Sequence, residues 1–308
     1  MSIKAFLVPY HLDELRKAMG AGPEAILAAG GLAGLSLSET RTIVGVEGSN
    51  EVQTCLAIDA ALALEAHECR AAGNVLVVLS GNCHACLGTL AAIGNDVTIV
   101  WFDAHGDLNT PETTETGFFD GMALASALGW TWTRLTQQIR GFQPVPEEHV
   151  LLVGGRDLDG GERERASRSR VRHYKPPALK SDEDTTADFV EVLAAGPRPR
   201  KTYVHIDLDI LDPTVLVANG YAVSGGVSLA WLESALRTIR QQKDIVAVGV
   251  TSYDPSCHDA HHVGRIVRRL LDVTLTTNPS RRAELIKRSD DRDVSGQRSD
   301  GSAGSRNC

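Results

Sequence analysis

Short β-branched runs alternate with Ala/Leu-rich stretches of helical spacing along most of this 308-residue chain. The runs fall at Thr42–Val46, Asn74–Leu79, Val97–Phe102, Val150–Val153, Tyr203–Ile206 and Ile245–Val250. The clearest expected helix is Glu51–Ala72, where Val52, Leu56, Ala60, Ala63 and His67 recur at steps of three or four and share one stripe. Further helices are expected over Gly121–Leu128 and Leu229–Arg240. Strands this apolar, with helices between them, predict an α/β fold: a doubly wound, mostly parallel sheet with helices on both faces. Aromatic residues make up only 5% of the chain, so Ala, Leu, Val and Ile must fill that core. Residues 1–277 contain no Gly/Pro/Ser-rich linker and no internal repeat, and they read as one domain. Residues 278–308 carry seven basic and five acidic side chains and almost nothing large and apolar after Ile286, so a disordered tail is expected there.

Charge and composition remove several classes of function. The net charge is −8, and the body without the tail carries −10. Nucleic acid and anionic membranes both need a basic face, so neither is expected as a partner. No apolar run reaches the ~18 residues of a membrane span. The first residues, Met1–Lys17, lack the cleavage site of a secretory signal. Six cysteines are too sparse for a disulfide framework, and a reducing, cytoplasmic location is the expectation.

In parallel α/β sheets, ligands sit beyond the C-terminal ends of the strands. Four strand ends here carry acids or histidines. They are Ser80-Gly81-Asn82-Cys83-His84, Asp103-Ala104-His105-Gly106-Asp107, Gly154-Gly155-Arg156-Asp157-Leu158-Asp159 and Asp207-Leu208-Asp209. In an extended segment Asp103, His105 and Asp107 point to one face, and Asp207 and Asp209 repeat the device. Carboxylates mixed with imidazole suit Mn2+ or a similar divalent ion. Four carboxylates pooled in one place would repel each other strongly without cations. Cys83-His84-Ala85-Cys86 has C-x-x-C spacing but no second cysteine pair for a structural zinc. Its cysteines read as small packing residues, and His84 as the side chain that points to the metals. The run Cys257-His258-Asp259-Ala260-His261-His262 reads as a loop into a last helix over Val263–Val273, with a second metal site as the alternative.

These residues resemble a family. Phe102-Asp103-Ala104-His105-Gly106-Asp107-Leu108-Asn109-Thr110-Pro111, with His84 upstream and His205-Ile206-Asp207-Leu208-Asp209-Ile210-Leu211-Asp212-Pro213 downstream, is similar to the ureohydrolase (arginase/agmatinase) pattern. The segment Val8-Pro9-Tyr10 through Gly20–Ala25 is similar to the family's start, and the resemblance covers roughly residues 5–275. It implies two Mn2+ per chain, one held by His84, Asp103, Asp107 and Asp207, the other by Asp103, His105, Asp207 and Asp209. Asp103 and Asp207 would bridge, and Asp107 would orient an attacking water. It also implies that Asn109 and Thr116, with Thr114 beside them, hold a substrate carboxylate, and that Asp159 and Glu162 reach an α-ammonium, directly or through water. The substrate would be a small guanidino or amidino compound, and the assembly a homo-oligomer, trimeric or hexameric.

Two positions depart from the arginase pattern. Asp120 stands where a proton-shuttling histidine is usual, and could still move protons. Ser252, in Ser252-Tyr253-Asp254-Pro255, stands where a Glu usually grips the guanidinium. A serine cannot make a bidentate charged pair, so the expectation is either a head group less basic than guanidinium, such as that of a modified arginine, or one gripped by another acid such as Asp254 or Asp120. The leading expectation is a hydrolase of a non-peptide C–N bond in a linear amidine. The alternatives are a catalytically altered binding or regulatory protein of the same fold, and a deacetylase-like hydrolase with one Zn2+. The latter lacks its usual adjacent His-His before the Asp-Ala-His motif.

Overall fold

The structure, a computed structural model, describes residues 2–179 and 186–276. In chain order the strands are β1 (Ile3–Val8), β2 (Tyr10–His11), β3 (Glu14–Leu15), β4 (Leu37–Thr42), β5 (Val75–Ser80), β6 (Thr98–Asp103), β7 (Val150–Gly154), β8 (Arg172–Tyr174), β9 (Lys201–Asp207) and β10 (Asp244–Thr251). The helices are α1 (Gly22–Ala28), α2 (Glu51–Ala71), α3 (Cys86–Ile93), α4 (Ala123–Ala127), α5 (Thr133–Thr136), α6 (Gly160–Arg168), α7 (Ala187–Ala194), α8 (Leu229–Gln242) and α9 (Ala260–Leu275). Short 3-10 turns at Cys83–Ala85, Asp120–Met122 and Leu208–Ile210 carry site residues.

Eight strands form one sheet in the order β4-β1-β5-β10-β9-β6-β7-β8, and every pairing within it is parallel. Strands such as β5 (VLVVLS) and β6 (TIVWFD) are buried along their whole length, which requires cover on both faces. The two-residue period divides that cover. Phe6, Leu76, Val78, Trp101 and Tyr203 pack into the core shared with α2 and α3. Phe102, on the opposite face of β6, meets Phe189 of α7, which in turn meets Trp231 of α8. The doubly wound expectation therefore holds.

Several local expectations shift. The strand expected at Thr42–Val46 lies earlier, at Leu37–Thr42, where the alternation of half-buried and exposed residues suits an edge strand. β1 was not among the expected strands, yet it sits inside the sheet between β4 and β5. The buried stripe of α2 runs through Cys55, Ile58, Asp59, Leu62, Ala66 and Cys69, while His67 is exposed. An Ala-rich helix marks its buried face weakly, because alanine is tolerated on either side. Residues up to Thr274 form one compact unit. The tail expected from residue 278 lies outside the described residues.

Candidate metal centre and active site

The four central strands β5, β10, β9 and β6 are neighbours, and each delivers a site residue just past its C-terminal end. β6 ends in Asp103 and continues to His105 and Asp107. β9 ends in Asp207, whose carboxylate accepts from the Asp209 amide at 2.9 Å and starts the turn that carries Asp209. β10 is followed by Ser252 and β5 by Cys83. Asp107 and Ser252 both adopt left-handed backbone, with φ 52° and 67°. Such strain in non-glycine residues concentrates at functional sites. Gly154, at φ 109° beside the Asp103 carbonyl, has no room for a Cβ, which would fall 2.1 Å from that oxygen.

Among the described residues, two groups of potential ligands come within reach of a shared ion: Cys83, Asp103 and Asp207, and Asp103, His105 and Asp209. His105 Nδ1 lies 3.4 Å from Asp103 and 3.3 Å from Asp209. Asp103, Asp107, Asp207 and Asp209 are all buried. Burial first, then the neighbouring carboxylates, pushes the Asp107 and Asp207 pKa well above the usual aspartate range and raises that of Asp103. Burial also opposes ionisation of Asp209, but its contact with His105 holds its pKa down. Burial opposes the His105 charge as well, yet hydrogen bonds to Asp103 and Asp209 carry its pKa upward. One imidazolium cannot offset four carboxylates, and Asp107 Oδ2 is buried without a partner. These oxygens fit divalent cations.

The structure places Cys83, and not His84, beside Asp103 and Asp207. The Cys83 sulfur lies 3.1 Å from Asp207 Oδ2 and 3.5 Å from the Ser252 hydroxyl. The His84 ring faces away from the acids, with Nδ1 3.4 Å from Asp59 on α2. It packs against Phe119. Successive side chains of a 3-10 turn diverge, so only one of the two can face the acids. The buried Asp59 carboxylate draws the imidazole into the core. Cys83 is therefore not a mere packing residue, whereas Cys86 is buried beside the Ala123 carbonyl.

A cavity of about 660 Å³ opens over these groups. Eight acidic side chains line it, including Asp107, Asp120, Asp207 and Asp209, and no lysine or arginine does so among the described residues. Leu12, Phe118 and Tyr221 form apolar parts of the wall, with Phe118 and Tyr221 stacked at 5.2 Å. Asn109, Thr114, Thr116, Asp159, Glu162 and Ser252 all line the same cavity.

Several of these side chains are already engaged. Both Glu162 oxygens are taken, by the amides of Leu108 and Asp159 at 2.9 Å each. With Asp159 it closes a capping box on α6, so it ties the Asp107–Asn109 loop to that helix. Asn109 Nδ2 donates to Asp159 at 2.8 Å. Asp120, expected to move protons, accepts from Asn82 Nδ2 at 2.6 Å and from the His84 amide at 3.0 Å. It thereby fixes the turn that presents Cys83. Asp254 does not line the cavity and accepts from the Ser256 amide. Asn219, absent from the sequence expectations, lines the cavity and spans Asp209 Oδ2 and the Ser252 carbonyl at 3.4 and 2.9 Å. No motif flags it, since it lies in a loop ten residues beyond Asp209. The rings of His258 and His262 approach to 4.9 Å, but neither belongs to a group close enough to share an ion.

The family model of the arginase family matches residues 2–272. The chain belongs to the arginase family. It is 32% identical to an arginase of Brevibacillus brevis over 240 residues, covering 72% of this chain and 80% of that protein. It is also 32% identical to an N(omega)-hydroxy-L-arginine amidinohydrolase of Streptomyces lavendulae over 203 residues, covering 65% and 68%. The crystal structure of arginase from Bacillus cereus superposes with a TM-score of 0.80 at 24% identity, over 91% of this chain and all of that one. This arginase-family chain is a hydrolase acting on linear amidino groups, and the acids and His105 are its candidate metal-binding groups. No helix among the described residues is long and apolar enough to cross a membrane.

Proposed function

We propose that this protein is a two-manganese hydrolase. It cleaves the C–N bond of a guanidino group borne by an amino acid, and it favours a head group less basic than guanidinium, such as an N-hydroxyguanidine. The observation that carries the reading is the convergence of Asp103, Asp107, Asp207 and Asp209 on one buried floor with His105 as the nearest cation. Asp103, His105, Asp207 and Asp209 would hold one ion. Cys83, Asp103, Asp107 and Asp207 would hold the other, with Cys83 taking the corner expected of His84. When bound, such a pair of ions supplies a water made acidic enough to attack at neutral pH and a clamp for the developing charge.

The remaining steps belong to the chain's own side chains. Asp107 Oδ2, buried and unpartnered, is the atom placed to take a proton from the attacking water and return it to the departing amine. Thr114 and Thr116 accept backbone amides from Gly117 and Phe118. Their hydroxyl protons are left to face a substrate carboxylate. Asp159 stands at the same rim, where it would meet an ammonium group. At the reacting end the cavity offers the Ser252 hydroxyl, a neutral partner for a weakly basic head. The Streptomyces relative named for hydroxyarginine supports that choice. A reducing cytoplasm suits the free Cys83 thiol, and a trimeric or hexameric assembly follows from the family resemblance.

The test is kcat/KM of the Mn2+-loaded protein for arginine, N-hydroxyarginine, agmatine and guanidinobutyrate. Replacing a charge-assisted pair with a hydroxyl contact costs roughly 10- to 100-fold, so hydroxyarginine should exceed arginine by about that factor. Equal efficiency on both would remove the head-group argument. No turnover on any of them would favour the regulatory alternative.

A further inference from the structure

Tyr203, His205 and Asp207 alternate along β9 and share one face, so the side chains beneath the metal floor belong to the same strand as the floor itself. Buried strand positions normally carry apolar groups, because a polar group there is costly unless every hydrogen is matched. Tyr203 and His205 are nevertheless polar and nearly inaccessible, and the hydrolysis described above does not use them.

They are linked in a line. Tyr203 Oη lies 2.9 Å from His205 Nδ1. His205 Nε2 lies 3.4 Å from Thr251 Oγ1, on the neighbouring strand β10. Thr251 Oγ1 lies 3.2 Å from the Cys83 sulfur. The polarity of the line follows from hydrogen accounting. Among the described residues His205 is the one partner of the Tyr203 hydroxyl, so a buried O–H there donates to Nδ1. Nε2 then carries the ring proton and donates to Thr251, whose own hydroxyl proton points at Cys83. The reverse polarity would strand the tyrosine proton. The line is also braced. Trp101, in register with His205 on β6, stacks on its ring at 3.5 Å with 6° between planes, and donates to Asp103 Oδ2 at 3.0 Å. On the other side His205 is opposite Gly249, where a Cβ would come within 2.5 Å of the Tyr203 oxygen.

We propose that Tyr203, His205 and Thr251 form a donor chain that ends on the Cys83 sulfur and orients it as a metal ligand. They are positioning residues, and the proposal rests on the reading of Cys83 as a ligand. A sulfur that receives the Thr251 proton has its remaining electron pairs turned toward Asp207, where an ion would displace the S–H proton now shared with that carboxylate.

Cobalt-substituted full-length protein separates the two layers of the argument. A thiolate-to-cobalt charge-transfer band that is present in wild type and lost in Cys83→Ser would establish the ligand. In Thr251→Val, which keeps the shape and removes the hydroxyl, the band should shift, and cobalt affinity should fall about 10- to 100-fold, the usual cost of losing an outer hydrogen-bond partner. Thr251→Ser should restore both. If Thr251→Val does not fold, His205→Gln serves for the same comparison. A band and an affinity unchanged by these substitutions would overturn the donor chain alone. A wild-type spectrum without the band would overturn the reading of Cys83, and the donor chain with it.

Discussion

The floor and the rim of the cavity are both acidic, but they treat their charges differently. On the rim, both Glu162 oxygens accept backbone amides, Asp159 accepts from Asn109, and the capping box of α6 closes the circuit. On the floor, Asp103, Asp107 and Asp207 crowd one another until burial and mutual repulsion raise their pKa values, and one Asp107 oxygen meets nothing. Polar groups matched by the protein define a shape. Polar groups left unmatched define what must come from solution. The rim is thus a preformed frame, and the floor is the part that the proposed cations would complete.

The comparison is broken most severely by removing a floor carboxylate. Asp207→Ala should bring the manganese content down from about two equivalents and reduce kcat/KM by more than the roughly 100-fold that loss of an outer partner costs. Elemental analysis and steady-state kinetics on one preparation check both.

A subtler break uses pH. Asp103, Asp107 and Asp207 have folded pKa values above their unfolded ones, so in metal-free protein they favour folding most at low pH, and that contribution is lost as pH rises above about 4. Metal binding needs the ionised carboxylates and has the opposite slope. At a manganese concentration about 100 times Kd, Tm should rise by about 5–10 °C near pH 7.5, and by less at pH 5.5. Calorimetry with and without Mn2+ at the two pH values would show a constant increment if the floor were not the binding site.

The rim should respond least. Glu162→Gln removes one of two acceptors and should cost about 1 kcal/mol, or about 2–4 °C in Tm, with manganese content unchanged. Lost metal in that variant would mean that rim and floor are not separable.

Much of the floor was legible in the sequence because strands fix direction. Asp103 and Asp207 close the apolar runs of β6 and β9, while His105, Asp107 and Asp209 follow in a bend, a left-handed residue and a 3-10 turn and stay close through their short spacing; β5, β6, β7, β9 and β10 stood out as apolar runs. The turn after β5 was the least legible place. Cys83 and His84 sit in a 3-10 turn, whose rotation depends on Asp120 holding the backbone and on Asp59 waiting in the core. Asp59 itself was hidden in an Ala-rich helix whose buried face the sequence marks weakly: of the stripe read there, Leu56 and Ala63 are buried but His67 is exposed. Glu162 was placed at the right cavity, but its tie to the Leu108 amide could not be read, because that partner lies fifty-four residues away.

The central claim is that the buried floor holds two ions and that Cys83, not His84, completes it. Manganese content of wild type, Cys83→Ala and His84→Gln, loaded and desalted side by side, tests it most directly. The account predicts about two equivalents in wild type and in His84→Gln, and clearly fewer in Cys83→Ala. Full content in Cys83→Ala with loss in His84→Gln would contradict it.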